Sequence, residues 1–168
     1  QYFQPEIQPF INEKWFPKNQ KYDLQKELPD GFYEKRKIGE NDDEVCKLIQ
    51  KDLIEEFIIY VKKNCYPVNS TINSSIYETN SFLLKKCNTN LIEYAAFFGS
   101  IQIFNYLRQN GAELNSSLWL YAVHGDDPEI INFLEENKVQ NIKIKNVFNA
   151  KKLSFEQVFN ESIKCHHI

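Results

Sequence analysis

Apolar residues recur at helical spacing through most of the chain beyond position 42. Val45, Leu48 and Ile49 share one stripe, and after Asp52 so do Ile54, Phe57, Ile58 and Val61. Further on, Ile103, Phe104 and Leu107 line one face, and Phe155, Val158, Phe159 and Ile163 another. Glycine punctuates these stripes at Gly99 and Gly111, where a left-handed residue ends a helix at little cost. Asn41 or Asp42 is placed to cap the first helix, and Ser154 with Gln157 forms a capping box for the last. The pattern predicts helices near 43–50, 53–63, 91–98, 101–109, 117–123, 128–136 and 154–165, and no sheet.

Outside these stripes the chain reads differently. Residues 1–42 carry Pro5, Pro9, Pro17 and Pro29 among Tyr2, Phe3, Phe10, Trp15, Phe16, Tyr22, Phe32 and Tyr33. Proline interrupts helices, whereas a disordered linker holds few aromatics. This segment is expected to be an irregular arm, either laid along a folded surface by its rings or ordered only against a partner or upstream domain. Residues 64–89 are rich in Asn, Ser and Thr and are predicted to be mainly loop, with Phe82, Leu83 and Leu84 as a short apolar anchor.

The block from Asn90 to Asn115 carries the most specific signal. Ile92, Ala95, Ala96, Gly99, Ile103, Phe104, Leu107, Gly111, Ala112 and Asn115 fill the positions of an ankyrin repeat, which this block closely resembles. Asn90 stands where that family usually begins with Thr-Pro, and Glu93 replaces its usual histidine. A second copy runs from Ser117 to Asn137, with Ala96 matched to Ala122 and Gly99 to Gly125, 26 residues apart. The family period is about 33. The deficit falls between Asn115 and Leu118, so the connection from Gln109 to Ser117 is predicted to lack a projecting hairpin.

Residues 43–63 then form a degenerate first repeat, 90–115 and 116–137 the middle ones, and 154–168 a partial last one. From about residue 30 onward the chain resembles the short-period, degenerate ankyrin proteins that form large families in some parasitic protists. The resemblance implies an all-α, ankyrin-like solenoid of stacked antiparallel helix pairs with reduced hairpins and an irregular aromatic N-terminal arm. It implies a protein-binding role and names no ligand.

Composition narrows the chemistry. Lys and Arg number 20 against 23 Asp and Glu, a net charge of −3, which gives no broad reason to expect nucleic acid or an anionic membrane as partner. No apolar run approaches the ~20 residues that span a bilayer. Cys46, Cys65, Cys87 and Cys165 show no metal-binding spacing and are expected to be reduced thiols in a cytoplasmic protein. The absence of Met, with Gln1 first, suggests a portion of a longer protein. His124 beside Asp126 and Asp127, and Cys165 beside His166 and His167, fall in expected turns between helices and are read as solvated turn residues, not as catalytic or metal sites. No cofactor, metal or small-molecule substrate is expected, and no enzymatic activity.

The expected partner surface is one stripe of paired variable positions: Phe97 and Phe98, Val123 and His124, and Gln50 with Lys51 in the first repeat. Adjacent residues on a helix point ~100° apart, so Phe97 and Phe98 cannot both face inward. Either one ring is an aromatic anchor for a partner, or the N-terminal arm or the 64–89 loop covers it.

Overall fold

The computed structural model describes residues 28–86, 88–137, 139 and 155–165, the side chains of 155–157 and 165 excepted. The described residues are helical, with no strand and one isolated antiparallel bridge between Thr71 and Asn90. The helices are α1 (Phe32–Ile38), α2 (Glu44–Gln50), α3 (Ile54–Lys63), α4 (Ser81–Lys85), α5 (Leu91–Phe97), α6 (Ile101–Gln109), α7 (Leu118–Gly125), α8 (Pro128–Glu136) and α9 (Phe155–Cys165). All seven helices predicted from apolar periodicity are present within a residue or two of their predicted limits.

The helices pair as hairpins, α2 with α3, α5 with α6 and α7 with α8. Their first members pack in a row, α2 on α5, α5 on α7 and α7 on α9, and their second members in another, α3 on α6 and α6 on α8. The core lies between the rows. Val45, Ile49, Phe57, Leu91, Tyr94, Ala95, Ala96, Ile103, Phe104, Leu118, Ile130 and Leu134 are all buried there. Residues 110–117 hold turns and no strand, as the short period requires.

Each hairpin reverses through one left-handed residue: Asp52 after α2, Gly99 after α5 and Asp126 after α7. This corrects the repeat register. Gly99 and Gly125 are not equivalent, because Gly125 is still helical and Asp126, with φ 49°, makes the turn. The structural equivalents lie 27 residues apart instead: Leu91 and Leu118, Tyr94 and Tyr121, Ala95 and Ala122, Ile103 and Ile130, Leu107 and Leu134. Asn110 and Asn137 close α6 and α8 in one manner, each Nδ2 donating to the carbonyl of the aromatic residue four positions back, Tyr106 and Phe133. Asn64 does the same to Tyr60 after α3.

Gly125 is glycine for another reason. A Cβ there would lie 2.2 Å from the Ala96 carbonyl oxygen and 2.8 Å from the Gly99 amide nitrogen. The C-terminal turns of α5 and α7 therefore touch backbone to backbone.

Capping also differs from the expectation. Asp43, not Asn41 or Asp42, caps α2, accepting from the Val45 amide. Asn41 is buried instead, donating to the Asn73 carbonyl at 2.7 Å and accepting from the Asp43 amide at 3.0 Å. Helix α6 takes no cap from its own Ser100. The Asp52 carboxylate from the α2–α3 turn accepts from the Gln102 and Ile103 amides at 3.1 and 3.0 Å, capping α6 from the neighbouring hairpin.

The segment expected to be irregular contains α1. Its Phe32 is buried against Tyr77, with ring centroids 5.7 Å apart. Arg36 donates to the carbonyls of Ile76 and Glu78, and the Thr79 amide donates to that of Gly39. These bonds lace α1 to residues 76–79, a tertiary support that local sequence does not announce. The rings from Tyr2 to Tyr22, the Ser154 capping box, His166 and His167 lie outside the described residues.

Substituting Gly125 with Ala is expected to cost about 2 kcal/mol or more, since overpacking typically costs 1–3 and here meets backbone rather than a movable side chain. Gly111→Ala meets no atom within 4 Å and carries only the strain of its positive φ, about 1–2 kcal/mol. Urea unfolding of the two variants, with Gly125→Ala the less stable, checks this order.

Candidate functional site

Phe97 ends α5 and His124 stands one residue before the end of α7. With a spacing of 27 they are equivalent positions, and their rings lie 4.9 Å apart. Phe98 is equivalent to Gly125, and Val123 to Ala96, so the expected pairing of Phe97 and Phe98 with Val123 and His124 is shifted by one residue.

The short helix α4 sits over this contact. Asn80 caps it, its Oδ1 accepting from the Phe82 and Leu83 amides. Phe82 stacks on Phe97 with planes 8° apart and centroids 5.8 Å apart. Its ring also meets Tyr121 edge-on at 5.1 Å and His124 at 4.3 Å. Phe97 is consequently buried, 9% exposed, beneath the 64–89 segment. Of the two coverings open from sequence, this one is seen. Phe98 is half-buried against Tyr94 and Phe97, with centroids 4.8 and 5.0 Å away.

The rest of the expected stripe divides. Gln50 is half-buried and tied down, its Nε2 donating to the Tyr94 hydroxyl at 2.9 Å and the Asn41 carbonyl at 3.3 Å. Lys51 is exposed and Val123 half-buried. The structure thus groups Phe97 and His124 with Phe82 and Tyr121, and leaves Lys51 and part of Phe98 to solvent.

Burial raises the hydroxyl and thiol groups in and near the cluster above their usual values. Burial pushes the Tyr121 phenol up to about 12 although its oxygen pairs with Thr89 Oγ1 at 3.1 Å. Burial, aided by the Asp43 charge, raises the Cys46 thiol to about 12, and burial raises Tyr94 as well. Among the described residues no group of three or more His, Cys, Asp and Glu is placed to hold a metal ion, and no helix is long and apolar enough to cross a membrane.

Glu93 is the functional-looking residue that sequence reading undervalued. It is buried, yet it completes a capping box with Asn90: its amide donates to Asn90 Oδ1 at 2.9 Å and its Oε2 accepts from the Asn90 amide at 3.1 Å. Its Oε1 accepts from Ser117 Oγ at 2.5 Å, joining the starts of α5 and α7. The signal was available, since Asn followed three residues later by Glu is a capping-box pattern.

His124 also reaches α9, pairing through Nε2 with Glu161 Oε1 at 3.1 Å. Burial holds its pKa below the usual 6.5 despite the Glu161 carboxylate, and the Lys164 ammonium adds to the depression. Burial pushes Glu161 up, but its bonds from Lys164 and His124 outweigh this and leave it below the usual carboxylate range. Neither a protein-family model, nor a curated protein, nor a solved structure matches the chain.

Two outcomes are expected. Phe97→Ala empties a buried ring site and should cost about 3–5 kcal/mol, with Phe98→Ala clearly milder; thermal melting compares them. The second concerns pH. The folded chain binds a proton on His124 less well than the unfolded chain, so between the two pKa values the unfolded state carries more protons and stability falls with acid. This contribution is complete above about pH 6.5 and is lost as pH falls through the depressed folded value. Urea unfolding at several pH values should show a smaller loss between neutral and mildly acid pH for His124→Gln than for the native chain.

Proposed function

We propose that the chain is a protein–protein interaction scaffold built from degenerate, short-period ankyrin-like repeats. The observation that carries this reading is the reuse of one helical hairpin: equivalent residues of the two central hairpins recur 27 positions apart, each of the three hairpins reverses through a left-handed residue, and each packs on its neighbour in two rows. Such stacks extend a surface in one dimension, and specificity comes from side chains placed along it. In this reading the partner is a protein, with no nucleic acid, membrane insertion, cofactor, metal or small-molecule substrate, and the chain is not an enzyme. The cytoplasm suits it, since Cys65 is an exposed thiol and Cys46 a buried one, both free.

The surface proposed for the partner comprises Gln50, Lys51, Phe98 and Val123, with Phe97 and His124 supporting it from beneath. A few aromatic and cationic anchors carry most of the energy of such interfaces. A second reading rests on Phe32, the last aromatic but one of the N-terminal arm, which is buried in its own chain against Tyr77. In that reading the chain is a structural or regulatory segment of a larger assembly, docked through the arm.

Photo-crosslinking amino acids placed singly at Lys51, Phe98 and Ile59 separate the readings in the native cell. Ile59 is 66% exposed on α3, in the second-helix row. Crosslinks to a foreign polypeptide from positions 51 and 98, and not from 59, are expected. Crosslinks from 59 alone, or from none of the three, would discard the scaffold reading of this surface.

A further inference from the structure

The second helices of the three hairpins end alike. Asn64, Asn110 and Asn137 directly follow α3, α6 and α8, and each Nδ2 donates to the carbonyl four residues back. After α3 and α6 the next residue is left-handed, Cys65 with φ 49° and Gly111 with φ 87°. The amide of that residue donates to the carbonyl of Lys62 or Arg108, and the amide after it to that of Val61 or Leu107. This is a Schellman end, in which glycine is the usual left-handed residue but not an obligatory one, as Cys65 shows.

Glycine changes the chemistry of the asparagine before it. Asn110 and Gly111 form the one Asn-Gly pair of the sequence. Glycine has no Cβ to keep its amide nitrogen away from the carbonyl carbon of a neighbouring side chain. The Gly111 nitrogen gives its proton to hydroxide and bonds to Asn110 Cγ. The Cγ–Nδ2 bond breaks, and Nδ2 takes a proton from water and leaves as ammonia, which regenerates the hydroxide. The five-membered imide then adds one water at either carbonyl and opens to aspartate or isoaspartate. Nothing is oxidised or reduced, and water is the sole co-reactant.

The folded cap opposes each part of this step. The ψ of Asn110, 15°, sets the Gly111 nitrogen beside Asn110's own nitrogen and not beside its Cβ. The Gly111 N–H is held by the Arg108 carbonyl at 3.2 Å, and the leaving group, Nδ2, by the Tyr106 carbonyl at 2.8 Å. Burial contributes nothing, since both residues are exposed and a Cβ on Gly111 would meet no atom within 4 Å. The protection consists of two hydrogen bonds and one dihedral angle.

We propose that Asn110 is a deamidation site of this chain, kept intact by the cap that it forms on α6. Two hydrogen bonds of ordinary strength hold the reactive arrangement down by about tenfold or more. The product loses that shelter. A carboxylate at position 110 has no proton to donate to the Tyr106 carbonyl, and it stands at the negative end of the α6 dipole. Isoaspartate also adds a carbon to the main chain, at the start of the turns that join the two central hairpins. The proposal is independent of the scaffold reading.

The test incubates the full chain in warm, mildly alkaline buffer, folded or unfolded in urea. Peptide mass spectrometry follows the conversion of amide to acid at each asparagine. In urea, Asn110 should convert faster than Asn64 and Asn137, which make the same side-chain cap but precede Cys65 and Lys138. In the folded chain Asn110 should convert about tenfold or more slowly than in urea. Gly111→Ala should bring the rate at Asn110 in urea down to that of Asn64, a comparison that does not depend on the variant's folding. Hydrogen exchange at the Gly111 amide should be slower in the folded chain than in urea. Asn110 no faster than Asn64 in urea overturns the site. Equal rates at Asn110 in the folded and unfolded chains overturn the protection. Slow conversion beside a freely exchanging Gly111 amide also overturns it, because the cap is then not what holds the reaction back.

Discussion

The contact between the C-terminal turns of α5 and α7 governs the rest of the molecule. It is a seam of small residues, Ala95, Ala96 and Gly99 on one side and Ala122 and Gly125 on the other, closed until backbone meets backbone. Helices that approach so closely leave no room for a register error, because one methyl group at Gly125 would strike a carbonyl oxygen. The seam fixes what lies beyond both of its ends. At one end Glu93 can reach Ser117; at the other the rings of Phe97 and His124 are brought side by side.

Most of the helical architecture was legible in the sequence because apolar stripes of helical period and good caps agree about it. Ile103, Phe104 and Leu107 are buried as their spacing implies, and Pro128 opens α8 behind the cap Asp127. The helices that periodicity overlooked are α1 and α4, which bury one and two residues and are held by partners such as Tyr77 and Tyr121. Local propensity is a weak guide where tertiary contacts supply the stability. The register error has a related origin. Glycine suggested a left-handed turn at Gly125, but aspartate tolerates that conformation and the glycine was required for a contact with another helix.

The candidate surface was less legible, again for a physical reason. Ring exposure depends on what covers the ring, and Phe97 is covered by a residue 15 positions earlier on a segment with no periodicity of its own. Family-like spacing indicates where Phe97 and His124 stand in a hairpin, but not that an insertion folds back over them. Buried polar residues repeat the lesson: Asn41 reads as a cap, yet its side chain bridges to a loop carbonyl 32 residues away.

Asp52 gives the array a direction. Its carboxylate supplies α6 with the cap that α6 lacks, whereas α8 is capped by its own Asp127. The start of α6 is therefore finished only when its upstream neighbour is in place, whereas the start of α8 needs no cap from upstream. Shortening the array from its leading end removes more than one hairpin's worth of order, while shortening it from the trailing end leaves every remaining helix start intact.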